Sequence, residues 1–130
     1  LWPVFDYEKG LSALIQLKST KFIYHAGLEW TAFNGPQAMD ALCDFRDAIY
    51  LFYAGAHWKN FDYDRGMAAL LKTKNCEYLF RAGVLWPSFN YELAWRVLEA
   101  EVESGETWRG MAFENPRWKG ALSAMWKTFW

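Results

Sequence analysis

Apolar residues in this chain fall three and four positions apart inside short blocks, and the blocks themselves recur. One block carries Ala38, Met39, Ala41 and Leu42, and a later one carries Gly66, Met67, Ala69 and Leu70. That spacing puts each set on one face of a helix. Asp6, Asn34, Asp62 and Asn90 open such blocks, and their side-chain oxygens suit the unpaired N–H groups of a helix start. Pro36 lies in a first turn, where proline is tolerated. Each of these helices is predicted to end at Lys18, Arg46 or Lys74, cations placed to meet the negative end of a helix dipole. Ser19, Asp47 and Asn75 follow at once and are N-cap types again. A second helix is predicted from each of them to Trp30, Trp58 or Trp86, and Pro87 supports an ending at the last. The segment EYLFRAGVLW has the aromatic content of a strand, but its cap and its place in the pattern make it a helix.

The blocks repeat without gaps. HAGLEWTAFN at 25–34 returns as YAGAHWKNFD at 53–62 and as RAGVLWPSFN at 81–90, each 28 residues on. Trp2, Trp30, Trp58 and Trp86 form one column, and Phe5, Phe33, Phe61 and Phe89 a second. Ala-Gly at 26–27, 54–55 and 82–83 forms a third. A fixed period of this length marks stacked supersecondary units, and very short connections make neighbouring helices antiparallel. The expectation is an all-α fold: a right-handed αα-hairpin repeat array, or α-solenoid, of about nine short helices. It is read as one domain over 1–130, with units at about 19–46, 47–74 and 75–102 and partial units at both ends. The last unit is degraded. Ser104 is expected to cap a helix over 105–113, and Asn115-Pro116 to open another. Terminal units of such arrays are commonly atypical. Trp2 reads as the tail of a helix whose beginning is absent, as in a piece of a longer chain.

FDYEKGLSAL at 5–14 and FDYDRGMAAL at 61–70 resemble the turn and second helix of tetratricopeptide repeats. Ala-Gly-x-x-Trp, with a small residue about a dozen positions after the glycine, is similar to that family's first helix and its packing contact. The resemblance covers most of residues 2–100 and implies close approach of Gly27 to Ala38, Gly55 to Gly66 and Gly83 to Ala94. The period of 28 is shorter than the family's 34, so the likeness is to a shortened, tetratricopeptide-like repeat. Arrays of this kind bind through a concave face lined by the first helix of each pair.

Composition narrows the chemistry. A chain of 130 residues, 53% hydrophobic and 20% aromatic, buries a proper core and does not stay disordered. Lys and Arg (14) nearly balance Asp and Glu (15), without a long basic run, so no nucleic-acid partner is expected. The longest uncharged run, 48–58, is far short of a membrane span. No signal-peptide pattern opens the chain, and a cytoplasmic location is the favoured expectation. Cys43 and Cys76 form no C-x-x-C and occupy non-equivalent positions. Two free, partly buried thiols are expected from them. Glycines sit at packing columns and not in a phosphate loop. The two histidines come without a G-x-S-x-G nucleophile motif. Neither a catalytic set nor a cofactor is expected.

The remaining candidates lie on the helices that end in tryptophan. Tyr24, Phe52 and Phe80 make an aromatic ladder, with Leu28, Ala56 and Val84 beside it. Facing water, such a stripe is a binding groove; in an array closed on itself it is core. Columns that differ between copies point to specificity: His25, Tyr53 and Arg81 share one, and Glu29, His57 and Leu85 another. His25 and Glu29 are four apart, but a metal site needs three or four ligands, and a surface hydrogen bond accounts for the pair more simply. The expected function is a protein- or peptide-interaction module. Tyr24, Leu28, Phe52, Phe80 and Val84 would contact the partner, and His25, Glu29, His57 and Arg81 would select it. The alternative is a binder of an apolar or aromatic small molecule in the Trp-rich interior. Exposed ends of the stack also offer a surface for a second copy.

Overall fold

The computed structural model describes residues 6–30 and 35–127. Within them the chain forms α1 (Tyr7–Gln16), α2 (Thr20–Glu29), α3 (Gly35–Phe45), α4 (Ala48–His57), α5 (Tyr63–Thr73), α6 (Cys76–Leu85), α7 (Tyr91–Ala100), α8 (Glu106–Glu114) and α9 (Pro116–Lys127). No strand occurs among the described residues. Trp2, Phe5, Phe33 and Asn34 lie outside them, with the expectations placed on those positions.

Most of the caps read from the sequence form. Asp6, Asp62 and Asn90 accept from the backbone N–H groups of Lys9, Arg65 and Leu93 at 3.0, 3.2 and 3.1 Å. Asp47 accepts from Ile49 and Tyr50, and Asn75 from Tyr78. Each such cap contributes about 1 kcal/mol. Two expected caps do not form. Ser19 makes no side-chain cap bond, and α8 starts from Gly105, not from Ser104. The Ser104 hydroxyl meets Cys76 Sγ at 3.8 Å instead.

Lys18, Arg46 and Lys74 act differently from the expectation. They lie just past the ends of α1, α3 and α5, with φ of 53°, 52° and 53°. At the end of α1 the Ser19 N–H reaches the Leu14 carbonyl at 3.1 Å, and the Lys18 N–H reaches Ile15 at 3.0 Å. This is the Schellman pattern, which needs one left-handed residue. The three cations therefore supply a reversal of the chain, at a cost of about 1–2 kcal/mol each for a residue with a Cβ. Val102, 28 residues after Lys74, has no positive φ. A β-branched side chain is a poor occupant of that region. The link from α7 to α8 runs over residues 101–105 and is longer than the links that leave α1, α3 and α5. The Arg109 guanidinium donates to the carbonyls of Leu98, Glu101 and Val102, closing the end of α7 without the left-handed turn.

Helices α2, α4, α6 and α8 pack in one row, and α1, α3, α5, α7 and α9 in another. Each helix also packs on its neighbours in sequence, and beyond these contacts only α6 meets α9. Tryptophan joins the even row. Trp58 ends α4 in an extended conformation, and its Nε1–H donates to the Tyr24 carbonyl of α2 at 3.0 Å. Trp86 ends α6 in the same way and donates to the Phe52 carbonyl at 3.0 Å. A helix carbonyl already bonded within its helix keeps a second lone pair. The side chain three residues on leans back over that carbonyl. Here that residue is glycine. A Cβ at Gly27 would lie 2.3 Å from Trp58 Nε1, and one at Gly55 2.3 Å from Trp86 Cε2.

The tetratricopeptide resemblance implies that these glycines receive Ala38, Gly66 and Ala94. At Gly27, Gly55 and Gly83 the nearest atoms to an added Cβ belong to a tryptophan, not to Ala38, Gly66 or Ala94. The glycine notch admits a flat indole. The last notch is filled from another element. Asn115 both ends α8 and caps α9, so the connection that carries tryptophan in earlier units is missing. Trp118, in the first turn of α9, donates to the Phe80 carbonyl at 2.9 Å and lies against Gly83. In α8 the buried Ala112 is followed by Phe113 in place of glycine. The Phe113 ring rests on Trp95 and Trp126, at 5.3 and 5.5 Å.

The notch gives a direct contrast between two glycines. Gly55→Ala drives a methyl group into the Trp86 indole and is expected to destabilise the fold by about 2–3 kcal/mol. Gly110→Ala, where an added Cβ meets nothing within 4 Å, is expected to stabilise α8 by up to about 1 kcal/mol. Urea unfolding of both variants beside the parent checks the pair.

Candidate functional site

The ladder residues Tyr24, Phe52 and Phe80 are buried, at 8%, 4% and 8% exposure. Their backbone carbonyls hold the three indoles, and their rings are covered by aromatic side chains of the next even helix. Tyr50 lies 5.8 Å from Tyr24, Tyr78 lies 5.6 Å from Phe52, and Trp108 lies 5.7 Å from Phe80, centroid to centroid. These spacings are those of packed aromatic pairs. Tyr50, Tyr78 and Trp108 are half-buried, and Phe22, the equivalent residue on α2, is 57% exposed. An outer row thus carries one aromatic ring per even helix, and Tyr50, Tyr78 and Trp108 of it overlie the inner ladder.

The outer row was legible but is not among the residues singled out from the sequence. Phe22, Tyr50 and Tyr78 are 28 apart, an aromatic column as constant as the ladder. Trp108 is two residues off that period, displaced by the longer link before α8. The signal was obscured because residue 22 lies two positions from residue 24, which looks like a separate helix face until the covering contacts are known.

The specificity candidates join this row. On one helix, residues three and seven positions after Phe22, Tyr50 or Tyr78 lie on the same face. Those residues are His25 and Glu29 on α2, Tyr53 and His57 on α4, and Arg81 and Leu85 on α6. Glu29, Tyr53, His57, Arg81 and Leu85 are exposed, and His25 is half-buried. Tyr24 is the hub, with His25 at 5.1 Å, Tyr53 at 5.8 Å and His57 at 6.2 Å. Arg81 lies over the Tyr78 ring at 5.8 Å and donates to Glu77 at 2.9 Å. Leu28 is exposed and Val84 half-buried, both on the flank of the row.

Titration follows the packing. Burial raises the Tyr24 hydroxyl above its ordinary value, and the neighbouring Tyr53 and Tyr50 add to the shift. Burial also raises Tyr78, helped by Glu77 and Tyr53 and opposed by Arg81. On the odd row, Tyr63 and Tyr91 donate to the Gly55 and Gly83 carbonyls at 2.7 Å, and burial raises both. Cys43 is half-buried and Cys76 buried; both are free thiols, and burial is the main cause that pushes each up, away from a reactive thiolate.

An open groove of about 680 Å³ lies between α5, α7 and α9. Met67, Leu71, Phe89 and Leu93 line it together with Asp64 and Glu92, and no tryptophan does. Glu92 is paired with Arg96 at 2.7 Å. Among the described residues, no three of His, Cys, Asp and Glu are grouped to hold a metal ion. None of their helices is long and apolar enough to cross a membrane. No family model, curated protein or solved structure matches the chain.

The tyrosine environments predict how stability changes in alkali. Below about pH 10 the hydroxyls are protonated in the folded and the unfolded chain alike. Above it the unfolded chain ionises first, so the stability from Tyr24, Tyr63, Tyr78 and Tyr91 is lost as pH rises through their raised folded values. Urea midpoints should be level up to about pH 10 and fall beyond it. Phenolate absorbance should show part of the tyrosines ionising only as the helices melt.

Proposed function

We propose that the chain is an α-solenoid interaction module that binds a segment of a protein or peptide along the outer aromatic row of α2, α4, α6 and α8. One observation carries this reading: Phe22, Tyr50, Tyr78 and Trp108 place a half-buried or exposed ring on every helix of one row. Aromatic and arginine side chains on a half-desolvated surface are the usual anchors of protein recognition. The inner ladder of Tyr24, Phe52 and Phe80 supports the Tyr50, Tyr78 and Trp108 rings from below. His25, Glu29, His57 and Arg81 vary along the same face and select the partner, with Leu28 and Val84 as flanking apolar contacts. The nearest-neighbour packing of the helices and the constant indole contact support the solenoid reading.

Selection from a random dodecamer display library tests it. Peptides captured by the parent chain are expected to lose about tenfold or more in affinity for a Tyr50→Ala, Tyr78→Ala double variant. Far-UV circular dichroism establishes that the variant keeps its helices. Captured peptides that bind both proteins equally would sink the reading.

A further inference from the structure

We infer that the bound segment places an arginine side chain on three tyrosine rings of α2 and α4: Tyr24, Tyr50 and Tyr53. The inference rests on the reading of this face as a binding surface. The three rings meet at one point of the row. Tyr24 lies 5.8 Å from Tyr50 and 5.8 Å from Tyr53, and Tyr50 and Tyr53 are 6.0 Å apart, centroid to centroid. Tyr24 is the buried floor of this cluster, Tyr50 is half-buried, and Tyr53 is 38% exposed. A cation seated up to about 5 Å above the centre of that triangle is within roughly 6 Å of all three centroids, the range of attraction to the negative ring faces.

The repeat itself shows what this face takes. On α6, Arg81 lies over the Tyr78 ring at 5.8 Å, and its guanidinium donates to Glu77 at 2.9 Å. The residues 28 positions before Arg81, Tyr78 and Glu77 are Tyr53, Tyr50 and Ile49. Where α6 carries a ring, a cation and a carboxylate, α4 carries two rings and an isoleucine, and α2 adds the third ring. The α6 arrangement is complete within one helix. Among the described residues, no lysine or arginine lies over Tyr24, Tyr50 or Tyr53. The α2–α4 cluster thus has more ring face than α6 and takes its cation from the partner.

The surrounding charge agrees. Glu29 is exposed on the same face of α2 and enters no ion pair among the described residues. An apolar side chain on the rings would gain nothing from that carboxylate and would strip water from it. A cation is attracted by the rings and by Glu29 alike. Lys21, the lysine of α2, stands eight residues before Glu29, about 12 Å away along the helix axis. The guanidinium therefore sits toward the Glu29 end of the cluster. Arginine suits the place better than lysine, because its flat and weakly hydrated group stacks on ring faces and keeps its N–H edge for a carboxylate.

The test uses the whole chain with isotope-labelled tyrosine and two peptides, acetyl-Ala-Ser-Arg-Ser-Ala-amide and its twin with citrulline in place of arginine. Citrulline keeps the shape and removes the charge. At about pH 8, where imidazole carries little charge, the arginine peptide is expected to shift the Tyr50 and Tyr53 ring resonances and to bind about fivefold or more tightly than its twin. The double variant Ile49→Glu, Tyr53→Arg copies the α6 arrangement onto α4, at two exposed positions. It is expected to keep its helices by circular dichroism and to lose the preference for arginine. Unmoved Tyr50 and Tyr53 resonances in the unaltered protein, equal binding of the two peptides, or a folded double variant that keeps the preference overturns the inference. Display-selected peptides that need Tyr50 and Tyr78, and that bind as well with citrulline in place of every arginine, remove this inference and leave the interaction reading standing. If no selected peptide needs those residues, both fall.

Discussion

An indole N–H bonded to a helix carbonyl through the gap left by a missing side chain holds this molecule in order. The acceptor is residue 24, 52 or 80, and the gap is the glycine three positions later. The donor arrives from the next unit. This single contact does three things together. It satisfies the polar atom of a buried tryptophan, it draws α4 onto α2, α6 onto α4 and α9 onto α6, and it fixes the axial offset of each pair. Truncating a fully buried tryptophan such as Trp86 or Trp118 costs about 3–5 kcal/mol from lost packing alone. The hydrogen bond makes that energy directional.

The surface follows from the lock. Because the contact of α4 on α2 is repeated by α6 on α4, residue 50 falls over residue 24, and residue 78 over residue 52. A second row of rings is thereby laid over the first. The row continues onto α8 although the period does not, because Trp108 takes the covering place over Phe80 from two residues further on. The lock itself survives the same shift, with Trp118 entering from α9. Phe113 then occupies the place of the next glycine, so α8 presents a ring where the others present a gap.

The fold was largely legible from residue types with local meaning. Asp6, Asp47, Asp62, Asn75 and Asn90 announce helix starts through their own side chains, and their bonds form as read. The partners across helices were not legible in the same way. Gly27 has the right type to meet Ala38, and only the geometry of an extended Trp58 shows that the indole reaches it first. Lys18, Arg46 and Lys74 carry a charge that invites a dipole reading, while their backbone conformation is what the turn uses. Val102 could have warned of the register change, since its branched side chain occupies the position of those left-handed residues. The candidate surface was half legible. The ladder was visible as a column, but whether Tyr24, Phe52 and Phe80 are covered depends on the offset between helices, which no single helix encodes.

The most direct test of the lock is hydrogen exchange at the tryptophan indoles, resolved by NMR. The Nε1–H groups of Trp58, Trp86 and Trp118 are bonded to the carbonyls of Tyr24, Phe52 and Phe80 in the buried interior. They are predicted to exchange only through global unfolding, slowed by a factor on the order of a thousand or more relative to the exposed Trp126. Exchange of these three indoles at the rate of Trp126 would contradict the account.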